Sequence, residues 1–171
     1  MTDLPRLRHL FLVFLIALAW PACAAEQARR VAGFIEKVIV GNPGAEFEGK
    51  LDTGADISSI DATHVTQTVR NGRTWIDFTA IRVDGSGVNL SGPLVRHSRI
   101  RRAGGVKSRR PVVLLELCLG SVSQAVEVSL ANRKDLNFDV LVGRNFLRGN
   151  FVVDPALRHA LPPNCPGREA K

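Results

Sequence analysis

The stretch KLDTGADISSIDA, residues 50–62, decides how the rest of the sequence is interpreted. Just before its first aspartate, in residues 45–51, apolar or small residues alternate with charged ones, which predicts a strand with one buried face. Asp52 follows where this strand ends, and Thr53 and Gly54 come directly after it. An acid, a hydroxyl and a glycine at a strand end are typical of an Asx-type turn, and they also suit a carboxylate that performs chemistry.

Catalysis by carboxylates alone requires two of them. One activates a water molecule while the other protonates the carbonyl oxygen of a peptide bond. Two carboxyl groups about 3 Å apart cannot both ionise, so such a pair stays half protonated under mildly acidic conditions. The chain has one DTG triplet, because Asp84 begins DGSG, in which glycine replaces the hydroxyl residue. A second Asp52, brought close by a two-fold axis in a homodimer, would complete the pair.

Periodicity and turn signals predict an all-β fold. Short segments rich in β-branched residues alternate with glycine, proline and asparagine, and no repeat or low-complexity linker interrupts them. A chain of 171 residues then fits one domain. The composition of residues 84–92 predicts a loop, and residues 144–148 ahead of Gly149 predict a short helix. Besides residues 45–51, the predicted strands are 33–41, 74–83, 110–120, 124–130 and 138–143.

The N-terminus predicts export. Arg6 and Arg8 precede an apolar run at residues 10–20, and ACA at residues 22–24 fits a small-x-small cleavage site. We therefore expect a signal peptide at residues 1–24 and a periplasmic or secreted domain at 25–171. The apolar run is eleven residues long, whereas a membrane span needs roughly 20, so we expect no stable span after cleavage.

Export would leave two cysteines, Cys118 and Cys165. An oxidising compartment could join them in a disulfide. A buried Cys118 with a loose Cys165 fits the sequence equally well, so both alternatives stay open.

The sequence gives no support for a metal or a nucleotide cofactor. The four histidines show no HExxH or paired metal-ligand spacing. GAEFEGKL, residues 44–51, nearly fits a phosphate loop, but Leu51 replaces the hydroxyl that binds magnesium and the lysine lies inside a strand. We expect no cofactor.

Residues 96–110, RHSRIRRAGGVKSRR, form a strongly basic segment in a chain of net charge +7. The paired Gly104 and Gly105 are typical of an exposed hairpin tip, because glycine accepts positive φ at little cost. A solvated loop is the simplest interpretation. Because the segment contains no aromatic residue on which bases could stack, we expect no nucleic-acid partner.

LDTGAD, followed some ninety residues later by VLVGRNFL, resembles the retroviral aspartic proteases, or retropepsins. The chain is more similar still to a bacterial retropepsin-like branch often labelled ATP-dependent zinc proteases. The resemblance covers about residues 33–155 and implies a closed, single-lobed β-barrel with one short C-terminal helix. The motifs shared with that branch are KLDTGA at 50–55, RPVV at 110–113, NR at 132–133 and VDP at 153–155.

The resemblance also implies roles for individual residues. Asp52 would be the catalytic carboxylate, Thr53 would brace the dimer, and Gly54 would permit close approach. Gly104 and Gly105 would lie in a flap, whose positive charges would favour acidic segments of a substrate. The remaining implied positions are Ala55 in the catalytic turn, Val142 and Gly143 closing a loop behind Asp52, and Arg144 paired with Asp56.

The sequence thus predicts an exported, homodimeric aspartic endopeptidase that hydrolyses peptides or proteins. The alternative is a peptide-binding or regulatory module that kept the same fold without cleaving. A basic adaptor for nucleic acid or anionic polymers ranks last, because it lacks a recognisable motif. We interpret Asp61, the last acid of the opening stretch, as a surface or capping residue.

Overall fold

The computed structural model describes residues 28–101, 107–133 and 137–166. The predicted signal peptide at 1–24 and the flap glycines Gly104 and Gly105 lie outside these ranges. The described part of the chain contains nine strands and one short helix. They are β1 Arg30–Val40, β2 Ala45–Leu51, β3 Ser58–Arg70, β4 Arg73–Ile81, β5 Gly87–Arg101, β6 Lys107–Leu119, β7 Val122–Ala131, β8 Val140–Val142, α1 Arg144–Leu147 and β9 Phe151–Arg158.

Six of the strands close into a ring through their hydrogen-bonded neighbours. β1 pairs with β2, β2 with β8, β8 with β3, β3 with β7, β7 with β6, and β6 returns to β1. The second half of β3, β4 and the first half of β5 extend this ring as an antiparallel sheet, while β9 lies parallel to the start of β1. The prediction of an all-β fold with one short helix is confirmed.

The core lies inside the ring and beneath the helix. In β2 the alternation seen in the sequence places Phe47 and Leu51 inside, because successive side chains of a strand point to opposite faces. Phe146 of α1 is fully buried, and its ring stacks on that of Phe151 with centroids 5.8 Å apart. The helix therefore fastens the end of β8 to the start of β9.

The prediction of a loop at residues 84–92 was wrong from Gly87 onward, where β5 begins. Polar composition misled the prediction, because only one face of this stretch is covered. Val88 and Leu90 pack against the core, whereas Asn89 between them is exposed. β3 was not predicted either, because most of its second half is polar and exposed. The Asn71-Gly72 turn that follows β3, with both φ values positive, is the hairpin signal that could have found it.

A disulfide joins Cys118 of β6 to Cys165, with their Cα atoms 6.0 Å apart. This resolves the alternatives that the sequence left open. The bond connects the ring to the segment that follows β9. Cys165 lies 47 residues after Cys118 in the chain. No helix within the described ranges has the length and apolar character needed to cross a membrane.

Candidate active site

Asp52 lies at the point where β2 leaves the ring. Leu51 still pairs with Val142 of β8, and the Asp52 amide donates a hydrogen bond to the Val142 carbonyl at 2.9 Å. The Asp52 carboxylate accepts a hydrogen bond from the Gly54 amide at 2.9 Å. The backbone carbonyl of Asp52 accepts one from the Ala55 amide at 3.3 Å. The side chain is thus held in a tight turn and is only partly covered.

Gly143 packs directly behind this turn. A Cβ atom at this position would lie 2.6 Å from the carbonyl carbon of Ile57 and 2.8 Å from its oxygen. The Gly143 amide donates to the Ser58 hydroxyl at 3.1 Å. The φ of Gly143 is −91°, which any residue can adopt. Glycine is therefore needed here because a side chain would not fit, and not because of the backbone conformation.

Gly143→Ala is therefore expected to destabilise the protein by about 3 kcal/mol, the upper range for overpacking a tight site. Gly149 is a matched control, because its surroundings are open but its φ is +81°. Alanine there carries only the conformational cost, about 1 kcal/mol. Urea unfolding of both variants measures the difference. Equal free energies of unfolding would contradict the close contact behind the turn.

Arg144, the first residue of α1, clamps the turn from the other side. Its Nη1 donates to the carbonyl oxygens of Thr53 at 2.9 Å and Gly54 at 2.8 Å, and its backbone amide donates to Ala55 at 2.9 Å. Its Nη2 contacts Asp56, so these two residues do form an ion pair. Because the Asp56 side chain is 85% exposed, the ion pair contributes little, and the two carbonyl contacts do most of the positioning.

Ser58 and Asn145 form a second brace that the sequence did not assign to the site. The Asn145 side-chain oxygen accepts from both the amide and the hydroxyl of Ser58 at 3.0 Å, and its Nδ2 donates to the Glu127 carbonyl at 2.8 Å. This network links the end of the Asp52 turn, α1 and β7. The asparagine of the GRN segment is the signal that could have indicated it.

Thr53 and Gly54, at the apex of the turn, are exposed. The chain thus presents Asp52 beside an uncovered loop. Asp56 is the other carboxylate of this turn, and Arg144 holds it. Within the described part of the chain, Asp52 is therefore the carboxylate of this turn that no ion pair holds.

Asp61 is buried, so its interpretation as a surface or capping residue was wrong. Its carboxylate accepts the Arg133 amide at 2.8 Å. The guanidinium of Arg133 donates to the Phe138 carbonyl at 3.2 Å and to the Ser59 hydroxyl at 3.0 Å. Burial lowers the pKa of Arg133, while the negative charge of Asp61 acts in the opposite direction and raises it. This cluster joins β3, just after the Asp52 turn, to the segment that leads into β8.

Asp139, directly before β8, adds a link to β2. Its carboxylate accepts the Glu48 amide at 3.3 Å, and its own carbonyl accepts the Asp61 amide at 2.9 Å. Burial raises the pKa of Asp139. The three strands around Asp52 are thus tied together by buried polar groups as well as by their ladders. Within the described ranges, no group of three or more histidine, cysteine or acidic side chains is arranged to hold a metal ion.

Comparison with known families agrees with this geometry. Residues 31–163 match the RimB-like family, described as retropepsin-like aspartic endopeptidase RimB. The chain belongs to this RimB-like family. The match includes the Asp52 turn, residues 143–145 behind it and residues 159–163 after β9.

Two curated relatives of this RimB-like chain are named probable alpha-L-glutamate ligases. The one from Desulfotalea psychrophila is 30% identical over 67% of this chain and 25% of its own length. The one from Parasynechococcus marenigrum is 30% identical over 73% of this chain and 29% of its own length. The chain therefore spans only between a quarter and a third of these relatives.

A solved structure shares the architecture. It is the crystal structure of protein Lpg0085 from Legionella pneumophila, a protein described as having unknown function. The superposition has a TM-score of 0.67 at 30% identity and covers 78% of this chain and 98% of the other. The matching fold therefore accounts for nearly all of that protein's solved chain.

Proposed function

We propose that this RimB-like chain is an aspartic endopeptidase whose active site forms from Asp52 of two copies. The observation that carries the proposal is the fixed, partly exposed Asp52 carboxylate beside the exposed Thr53 and Gly54. A tight turn held by Arg144 and Gly143 keeps the carboxylate in place before substrate arrives. The exposed apex leaves room for the same turn of a second chain.

The reaction follows from one proton shared between two carboxyl groups. The ionised Asp52 takes a proton from a water molecule, whose oxygen attacks the peptide carbonyl carbon. The protonated Asp52 of the other copy gives its proton to the carbonyl oxygen. The resulting diol collapses when the protonated Asp52 gives its proton to the peptide nitrogen, the ionised Asp52 takes one from a diol hydroxyl, and the carbon–nitrogen bond breaks. The products are one carboxyl terminus and one amino terminus, and the pair again holds one proton.

We also propose that the protein works outside the reducing cytosol. The Cys118–Cys165 disulfide supports this, because such bonds persist mainly in oxidising compartments. The n-region and apolar run of the sequence agree with export.

Acidic peptides are the substrate class that the charge distribution favours. Arg99 of β5 and Arg109 of β6 are directly opposite in the ladder, both are exposed, and neither makes an ion pair within the described part of the chain. Like charges directly opposite each other destabilise a sheet. An acidic group of a substrate bound between Arg99 and Arg109 would relieve this repulsion. The names of the relatives, which concern glutamate, point to the same chemistry.

We therefore expect faster cleavage of glutamate-rich peptides than of matched glutamine-rich peptides, by about tenfold at low salt. The difference should shrink as salt screens the charges. Replacing Arg99 and Arg109 with glutamine should remove most of it. Arg73→Gln, at the exposed start of β4, is the matched control and should change nothing. Equal rates for both peptide series in the unmodified protein would contradict the acidic preference.

The test of the function itself is product analysis. Incubating the protein with a peptide library at pH 4 to 6 should give fragment pairs whose masses sum to the parent plus one water. A peptide with a hydroxyl group at the scissile position should inhibit, because it imitates the diol. Tight peptide binding without any cleavage would instead favour the non-catalytic module on the same fold.

A further inference from the structure

The segment after β9, residues 159–165, is fastened along the outer edge of β1, and we call it the C-terminal strap. Its first amide, of His159, donates to the Ile35 carbonyl at 2.8 Å. Near its end, the Asn164 amide donates to the Gly120 carbonyl at 2.8 Å, and Cys165 is bonded to Cys118. The strap thus runs from β9 to the turn between β6 and β7.

Glu36 of β1 holds the middle of the strap. Its side chain is fully buried, and its carboxylate accepts the amides of Ala160 at 2.9 Å and Leu161 at 3.1 Å. The third donor is the Gly33 amide at 2.6 Å. A buried carboxylate is costly unless such donors satisfy it. Two of its three donors belong to the strap, so the position of the strap decides whether Glu36 is satisfied.

The strap covers the place where the ring closes. Along its outer edge, β1 pairs with β9 as far as Ile35 and with β6 only from Val38 to Val40. These three register pairs between β1 and β6 complete the ring of six strands. The strap bridges the gap between the two partners of β1, and the disulfide anchors it to β6 itself. Closure of the ring at this junction and attachment of the strap are therefore linked.

A cleft of about 390 Å³ opens onto the disulfide. It is lined by both cysteines, by the turn at residues 41–44, and by Glu116 and Ser123. Cys118 is buried, whereas Cys165 is half-buried. A reducing agent can therefore reach the bond from the Cys165 side without prior unfolding of the ring.

We propose that Cys118–Cys165 is a thiol–disulfide exchange site and that the C-terminal strap is a redox latch on the ring. A thiolate of a dithiol reductant attacks the Cys165 sulfur, the disulfide breaks, and the Cys118 sulfur leaves as a thiolate and takes up a proton. The second thiol of the reductant then resolves the mixed disulfide. Two electrons pass to the chain, which gains two thiols, and the reductant becomes a disulfide.

Reduction frees the strap to leave Glu36. Water then solvates the carboxylate, and the junction between β1 and β6 loses its covalent support. The oxidised chain is the form in which the ring, and with it the turn that carries Asp52, is held closed. The consequence for peptide cleavage rests on the proposed function, but the latch itself is measurable without any activity.

Amide hydrogen exchange of the full, folded chain tests the latch before and after dithiothreitol, with alkylation and mass measurement to count the two thiols. Exchange at Ala160, Leu161 and residues 38–40 is expected to quicken by at least about tenfold on reduction. Exchange in the paired part of the β3–β4 hairpin should stay unchanged, and reoxidation should restore protection. Unchanged exchange in a chain shown to be reduced would overturn the proposal. So would a disulfide that resists dithiothreitol until the whole chain unfolds.

Glu36→Gln provides the second test with the disulfide intact. Its amide group would face an N–H donor of the strap, so exchange at Ala160 and Leu161 should quicken even in the oxidised protein. Glu46→Gln, an exposed glutamate on β2, is the matched control and should leave exchange unchanged. Equal exchange in the two variants would overturn the role of Glu36. If Glu36→Gln fails to fold, reduction of the unmodified chain still decides the matter.

These outcomes separate the latch from the proposed function. Faster exchange on reduction in a protein that never cleaves peptides would support the latch and refute the protease. Cleavage in the oxidised protein with no response of the strap to reduction would do the reverse.

Discussion

Replacing Asp52 with asparagine is expected to reduce the rate of peptide cleavage by about 10³-fold or more, the scale on which general acid–base catalysis acts. Asparagine has the same shape, and its oxygen can still accept the Gly54 amide hydrogen bond. It can neither take a proton from water nor share one with a second carboxyl group. The fold should therefore persist while the chemistry is lost.

The measurement is kcat on an acidic peptide, together with the urea unfolding curve of each variant. Asp56→Asn is the matched control, because it removes the other carboxylate of the same turn, and that group is exposed. We expect Asp56→Asn to retain most of the activity. Undiminished cleavage by Asp52→Asn would remove this residue from the mechanism.

Replacing Arg144 with alanine is expected to lower kcat by about 100-fold, the cost of misplacing a reacting group by about an ångström. The guanidinium donates to the carbonyls of Thr53 and Gly54 at the apex of the turn, and alanine leaves both without this donor. The loss should fall on kcat more than on KM, because the clamp positions Asp52 without touching the substrate.

Arg144→Lys keeps the positive charge but removes the planar guanidinium, so it separates the effect of the charge from the effect of the donor geometry. One ammonium group cannot reproduce two carbonyl contacts and the Asp56 contact together, so lysine should rescue only a small part of the rate. If the ion pair did the positioning instead, lysine would restore activity and Asp56→Asn would be as harmful as Arg144→Ala. Steady-state kinetics on the three variants distinguishes these accounts.

The turn that carries Asp52 was predictable because its signals are local. An acid, a hydroxyl and a glycine at the end of an alternating strand are typical of a tight turn, and the GRN segment supplies the brace behind it. The strands with a clean buried face, such as β1 and β2, were predictable for the same reason. β3 was missed because half of it borders solvent, where polar residues hide the strand period.

Buried polar groups were the least predictable part. Asp61 and Glu36 appear in the sequence as ordinary acids, and their burial depends on partners far along the chain. The Arg133 amide covers Asp61 from 72 residues away, and the strap amides cover Glu36 from more than 120 residues away. No local pattern carries such information. The disulfide was undecided on sequence for the same reason, because only the path of the strap brings Cys165 to Cys118.

In the proposed site, two Asp52 residues, one from each chain, share one proton. Mixing the unmodified protein with an equal amount of Asp52→Asn, and allowing the subunits to exchange, shows whether both are needed. If both carboxylates are required, only dimers of two unmodified chains cleave, and the rate per total chain falls to about a quarter. A rate of about half, as for chains that act alone, would contradict a site shared between two chains.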